Sequence, residues 1–188
     1  SNTIEDEDLE RSLATLVTCL FLNEDVYFYN GAHTKLVSRP SVNDNLNTPE
    51  RILSSQSKLY FKTSGTTGEP KLVCQDMSRL KTFVSMNPQN LGLSWGFCYS
   101  TRHISGLMLM LQAILTRSKI TDLRNHDADT LINLIEDNQI SHMSAPATFY
   151  KLNFPLKAQA PCLRLVTNGG EPLTDDTIQR IRQSLPNV

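Results

Sequence analysis

A chain of 188 residues with 39% hydrophobic side chains can bury a core of its own, which excludes wholesale disorder. Its net charge of -1 leaves no global field to steer it toward nucleic acid or an anionic membrane. The four cysteines, Cys19, Cys74, Cys98 and Cys162, are widely spaced without a CxxC pair, which argues against a zinc cluster or disulfide framework and fits a reducing, cytoplasmic compartment.

The start, Glu5-Asp6-Glu7-Asp8, is acidic where a secretory signal would be basic. Leu9, Leu13, Leu16, Val17 and Leu20 recur at helical spacing and predict an amphipathic helix over 7–21. Residues 25–30 read as a short aromatic strand. Residues 38–50 carry Pro40, Pro49 and four Asn or Asp residues and read as a loop and linker. Leu59 to Lys62 predicts a short strand, and 78–86 a helix. A strand at 95–100 precedes the most apolar run, Ile104 to Leu115. That run contains Ser105, Gly106 and Gln112 and is shorter than the roughly 20 residues of a membrane span, so a buried helix over 105–117 is expected.

Further on, the pattern predicts strands at 119–123, 140–144 and 163–167. Helices are expected at 129–138, at 148–152 as a single turn, and from Thr174 to about Leu185. Thr174 is an N-cap candidate, with Asp175 and Asp176 in the first turn. Strands alternating with helices point to an α/β fold, a mostly parallel sheet with helices on both faces. Met108, Met110 and Leu111 read as core. His33, His126 and His142 show no partner pattern and read as structural.

The segment that carries chemistry is Thr63-Ser64-Gly65-Thr66-Thr67-Gly68-Glu69-Pro70-Lys71. Glycines let successive backbone amides point into one concavity that suits an anion. Thr63, Ser64, Thr66 and Thr67 add hydroxyl donors, and Lys71 adds a charge. Charge-assisted hydrogen bonds are worth about 1.5–3 kcal/mol each, so a few such donors can hold a polyphosphate. The spacing excludes a nucleotide-hydrolase P-loop, whose GxxxxGK[ST] needs a hydroxyl where Leu72 stands.

The same string resembles the phosphate loop of the adenylate-forming superfamily, which includes acyl- and aryl-CoA synthetases, luciferases and peptide-synthetase adenylation domains. Arg102-His103-Ile104-Ser105-Gly106-Leu107 resembles the family's FHxxG segment, and its HISGL wording is similar to o-succinylbenzoate–CoA ligases. Leu163 to Leu173, with Asn168-Gly169-Gly170-Glu171-Pro172, resembles the strand and turn bordering the adenine site. Ser144-Ala145-Pro146-Ala147 resembles a VPPT stretch between them. On this basis residues 1–57 are expected to form an N-terminal helix, short strand and linker, and 58–188 part of an adenylation domain.

The resemblance implies a reaction. ATP activates a small carboxylic acid as an acyl- or aryl-adenylate, and the thiol of coenzyme A or a carrier then takes the acyl group. It also implies site roles. Thr63, Ser64, Gly65, Thr66, Thr67, Gly68 and Lys71 would hold the β,γ-phosphates, with Mg²⁺ sharing that work and no residue assigned as its ligand. His103 would face the reacting carboxylate, and Lys71 and His103 are the catalytic candidates. Gly169, Gly170, Glu171 and Pro172 would line the adenine side.

The chain departs from the pattern in places. Leu72 replaces a glycine after the lysine, and Cys74-Gln75-Asp76 stands where a histidine-containing pair is common. No YGxTE segment, later ribose-binding aspartate motif or lysine-bearing lid occurs within the 188 residues. The chain is therefore expected to be part of a larger ligase and inactive alone. A non-catalytic nucleotide- or protein-binding member of the same fold is the alternative.

Overall fold

The computed structural model describes residues 8–28, 48–63 and 71–185. They fall into two compact units. One comprises residues up to Met86 together with Ser100–Leu115, and the other comprises Asn87–Tyr99 together with residues from Thr116 on. The chain thus leaves the second unit after Tyr99, forms one helix of the first, and returns at Thr116.

In the first unit, helix α1 (Leu9–Phe21) starts at Asp8, whose carboxylate accepts the Arg11 N–H at 2.8 Å. Leu9, Leu16, Cys19 and Leu20 turn inward, as the helical spacing predicts. Strand β1 (Val26–Phe28) runs parallel to β2 (Lys58–Thr63) with Val26 opposite Leu59. Two side chains set that register. Asn23 accepts the Gln56 N–H at 2.5 Å, and Asp25 accepts the Lys58 N–H at 2.8 Å.

Helix α2 (Thr48–Ser54) begins inside the stretch expected to be a loop. Pro49 reads as a breaker in sequence, yet a proline in the first helical turn forfeits no intrahelical hydrogen bond. Ile52 then anchors the helix with no exposed surface.

Strand β3 (Lys71–Asp76) was not expected either. It pairs antiparallel with all of β2, from Lys58 opposite Asp76 to Thr63 opposite Lys71. Helix α3 (Met77–Leu80) follows at once and ends in a 3₁₀ turn, shorter than the helix expected over 78–86. Helix α4 (Ile104–Leu115) buries residues around most of its circumference, including Leu107, Met110, Leu111 and Leu115. Its Gln112 exchanges two hydrogen bonds with the Ser85 backbone, at 3.0 and 2.9 Å.

The second unit is built on four parallel strands, β4 (Ser94–Phe97), β5 (Lys119–Asp122), β6 (His142–Ala145) and β7 (Leu165–Asn168). Their order is β5-β4-β6-β7. Helices α5 (Ala128–Asp137), α6 (Ala147–Asn153) and α7 (Asp175–Ser184) complete it. Leu131, Ile135, Tyr150 and Ile181 of these helices, with Phe154 just past α6, pack into one cluster with Met143 and Ala145 of β6. Burial is near-continuous in β4 alone, a strand flanked on both sides, whereas β7 at the edge of the sheet alternates exposed and half-buried residues. At Gly96 in β4 a Cβ would lie 2.5 Å from Leu123 Cδ1, so this strand position must be bare for the β5 end to close on it.

Caps fix the helix starts. Asp127 accepts the Asp129 and Thr130 N–H groups at 3.1 and 2.8 Å, and these bonds, chiefly the one to Thr130, hold its carboxyl below the usual range. Thr174 accepts the Thr177 N–H at 3.3 Å, as its sequence context predicts. With β5 on one side of β4 and β6 on the other, the sheet order reverses between β4 and β6. In open α/β sheets the crevice outside the carboxyl ends of such strands is where ligands bind.

Candidate functional site

The hairpin of β2 and β3 positions the phosphate-loop string. Thr63 and Lys71 form its last pair, so the two ends of the loop are held at the roughly 5 Å spacing of an antiparallel ladder. Ser64, Gly65, Thr66, Thr67 and Gly68 lie outside the described residues. Lys71 begins β3 and is exposed. Below the loop the ring of Tyr60 stacks on Tyr27 with centroids 4.8 Å apart, stiffening the strand pair that carries the loop.

His103 stands in the turn that opens α4. Its backbone N–H donates to Ser100 O at 3.1 Å, and its own carbonyl accepts the Leu107 N–H at 3.0 Å. The imidazole Nδ1 accepts the Ser105 N–H at 3.2 Å. An accepting Nδ1 belongs to the neutral ring with its proton on Nε2. The helix start therefore selects a tautomer that offers Nε2–H outward from an exposed side chain.

Gly169, Gly170, Glu171 and Pro172 share one turn between β7 and α7. Gly170 adopts φ +95, a conformation L side chains rarely take, although a Cβ there would meet nothing within 4 Å. Asn168 closes the turn by donating its Nδ2 to the Glu171 carbonyl. Its Oδ1 is buried and finds no hydrogen-bond donor among the described residues.

Around this turn the structure gathers two phenols that the sequence did not single out. Tyr99, two residues beyond β4, shares a 3.1 Å hydrogen bond with Ser144 of β6. Tyr150 of α6, with no exposed surface, donates to Thr167 O at 2.7 Å. Burial pushes the hydroxyls of Tyr99 and Tyr150 above the ordinary phenol value, so both stay protonated as donors near neutral pH. The available signal was a tyrosine just past a strand end at the point where the sheet order reverses.

Two further groups near the strand ends pair locally. Arg124 and Asp122, at the end of β5, form a 2.6 Å ion pair, and the guanidinium lies 5.1 Å from the Phe97 ring centroid. His142 lies at the start of β6, its ring 4.9 Å from Trp95 and its Nδ1 2.8 Å from Ser141 Oγ. This fits the structural role expected of it. Among the described residues no three His, Cys, Asp or Glu side chains gather to hold a metal ion, and no helix is long and apolar enough to cross a membrane.

An antiparallel hairpin in one unit and a four-stranded parallel sheet with helices in the other define an α/β protein. The family model described as AMP-binding enzyme matches residues 10–188, and the chain belongs to that family. Among curated relatives, the 2-succinylbenzoate–CoA ligase of Listeria monocytogenes serotype 4b (strain F2365) is 28% identical over 135 residues, 69% of this chain and 29% of the relative. The chain thus spans less than a third of that relative's length. Among solved structures, o-succinylbenzoate coenzyme A synthetase from Bacillus subtilis with a bound product analogue matches at TM-score 0.59 and 19% identity, over 74% of this chain and 32% of that one. The same enzyme in complex with ATP and magnesium ion matches at TM-score 0.57 and 22% identity, over 67% of this chain and 28% of that one. At such identities the structures establish the α/β fold expected from the sequence.

Proposed function

We propose that this chain supplies the phosphate-binding and adenine-side parts of an ATP-dependent ligase that activates a small carboxylic acid and passes it to a thiol. The observation that carries the reading is the string Thr63 to Lys71, held at both ends by a strand pair in a chain of the AMP-binding enzyme family. In the first unit, the amides and hydroxyls of Thr63 to Gly68, with Lys71, grip the β,γ-phosphates. The Nε2–H of His103 hydrogen-bonds the substrate carboxylate. In the second unit, the Gly169 to Pro172 turn lines the adenine. Magnesium ion would arrive on the polyphosphate.

The reaction is two displacements. A carboxylate oxygen bonds to the α-phosphorus, the bond from that phosphorus to the bridging oxygen breaks, and pyrophosphate leaves with the electron pair. A thiolate sulfur then bonds to the acyl carbon, and AMP leaves. The phosphate loop stabilises the charge that develops on the departing pyrophosphate. The named relative acts on 2-succinylbenzoate, which makes an aryl acid with a second carboxylate the first substrate to try, and coenzyme A the first thiol.

The test is ATP–pyrophosphate exchange by the protein containing this chain. Labelled pyrophosphate should enter ATP only when the cognate acid is present. Lys71→Ala should slow that exchange by about tenfold or more, the loss of one charge-assisted hydrogen bond or more. Unchanged exchange would remove Lys71 from the phosphate site.

A further inference from the structure

Asn168 ends β7 opposite Ala145 of β6, at the carboxyl ends of the strands, where open α/β sheets take their ligands. Two contacts fix it. Tyr150, with no exposed surface, donates its hydroxyl to the carbonyl of the preceding residue, Thr167, at 2.7 Å. The side-chain amide of Asn168 donates its Nδ2 to the Glu171 carbonyl across the glycine turn.

The second bond settles which way the amide faces. A carbonyl only accepts, so the nitrogen is the end that meets Glu171 and the oxygen is the end left over. That Oδ1 is buried and meets no donor among the described residues. Buried polar atoms are paired in all but a few cases, so an acceptor held in place without a donor calls for one from outside the chain. A donor reaches a buried atom only where the backbone yields, and the turn beside Asn168 is free to yield. Gly170 and Glu171 are exposed, and at Gly170, with φ +95, a Cβ would meet nothing within 4 Å.

We propose that Asn168 is a specificity-determining residue for the nucleotide base: its Oδ1, aimed by the bond from Nδ2 to Glu171, accepts the 6-amino group of adenine. The amino group supplies the missing N–H, whereas a purine bare at carbon 6 leaves the oxygen as unpaired as before. A polar group set to meet a donor discriminates against the analogue that lacks it. The inference rests on the reading of the Gly169 to Pro172 turn as the adenine side, and adds to that turn the side chain that precedes it.

The experiment titrates the protein containing this chain, by calorimetry, with three probes. AMP carries the amino group, purine riboside 5′-monophosphate lacks only that group, and inorganic tripolyphosphate engages only the phosphate loop. The unaltered protein should prefer AMP to the purine riboside nucleotide. In Asn168→Leu the ratio of the two affinities should fall roughly five- to tenfold, the scale of one neutral hydrogen bond, with tripolyphosphate affinity unchanged. Loss of the tie to Glu171 weakens both nucleotides alike and cancels in the ratio. In Asn168→Asp the carboxylate still accepts the amino group but cannot donate to Glu171, so both nucleotides should weaken and the preference for AMP should persist. Equal affinity of the unaltered protein for the two nucleotides would overturn the proposal. So would an unchanged ratio in Asn168→Leu, including equal losses of both, because a side chain that only braces the turn damages them together. Failure of the unaltered protein to bind either nucleotide while it binds tripolyphosphate would overturn the adenine-side reading, and the proposal with it. Should Asn168→Leu fail to fold, Asn168→Asp decides, and loss of the AMP preference there would overturn the proposal.

Discussion

Removing one oxygen from the core of the second unit tests how its last strand is held. Tyr150 has no exposed surface, and its ring packs edge-on against Phe154 and Phe149 with centroids 5.4 and 6.2 Å away. Tyr150→Phe keeps those contacts and deletes only the hydroxyl. The lost hydrogen bond to Thr167 O is 2.7 Å long, whereas the 3.5 Å approach to Met143 O is too long to add much. A neutral hydrogen bond contributes about 0.5–1.5 kcal/mol net, so a loss of about 1 kcal/mol is expected. Tyr150→Ala adds a cavity the size of the ring and should cost about 3–5 kcal/mol. Trp95 is the sole tryptophan and lies in β4 of the same unit, so its fluorescence during urea unfolding reports on this core. A Tyr150→Phe variant as stable as the unaltered chain, or as unstable as Tyr150→Ala, would refute the view that the phenol ties α6 to the end of β7.

Gly96→Ala should destabilise the same unit by about 1–3 kcal/mol in urea, because the new methyl would sit 2.5 Å from Leu123 Cδ1, and the double variant with Leu123→Ala should cost less than the sum of the two single losses. Gly170→Ala meets no atom within 4 Å, so its effect on the melting temperature isolates the strain of φ +95, about 1–2 kcal/mol. His142 is held below its ordinary value, first by burial and then by the nearby Arg164 charge. A depressed histidine contributes stability that is present above its unfolded value of about 6.5 and is lost as pH falls through the lower folded value. Urea midpoints measured between pH 7 and 5 should therefore drop more steeply for the unaltered chain than for His142→Gln, and parallel curves would refute the assignment.

Much of the fold was legible because the signals were local. The helical spacing of Leu9, Leu16 and Leu20, and the cap at Thr174, act within one or two turns of chain. Pro146 closes β6 because it cannot continue the ladder. Strand β3 was not legible. Lys71, Gln75 and Asp76 are poor strand formers, and the strand exists because β2 offers six pairing positions. Helix α2 was hidden by a proline whose position in the first turn makes it harmless. At the site, the loop string and the glycine turn stood out as composition. The Tyr99–Ser144 bond joins residues 45 positions apart, and no local pattern announces it.

The interleaving of the two units bears on how the chain can be made and cut. Each is assembled from two separated stretches, and the exchanges fall at Met86/Asn87, Tyr99/Ser100 and Leu115/Thr116. During vectorial synthesis β4 emerges before α4, so the first strand of the second unit must wait while the last helix of the first is still being translated. A truncation at residue 86 would strip α2 of α4, one of the helices it packs against, and a start at residue 116 would leave β5 and β6 without the strand between them. Dissecting this protein into independent halves calls for rejoining the two separated stretches of each unit rather than for a single stop codon.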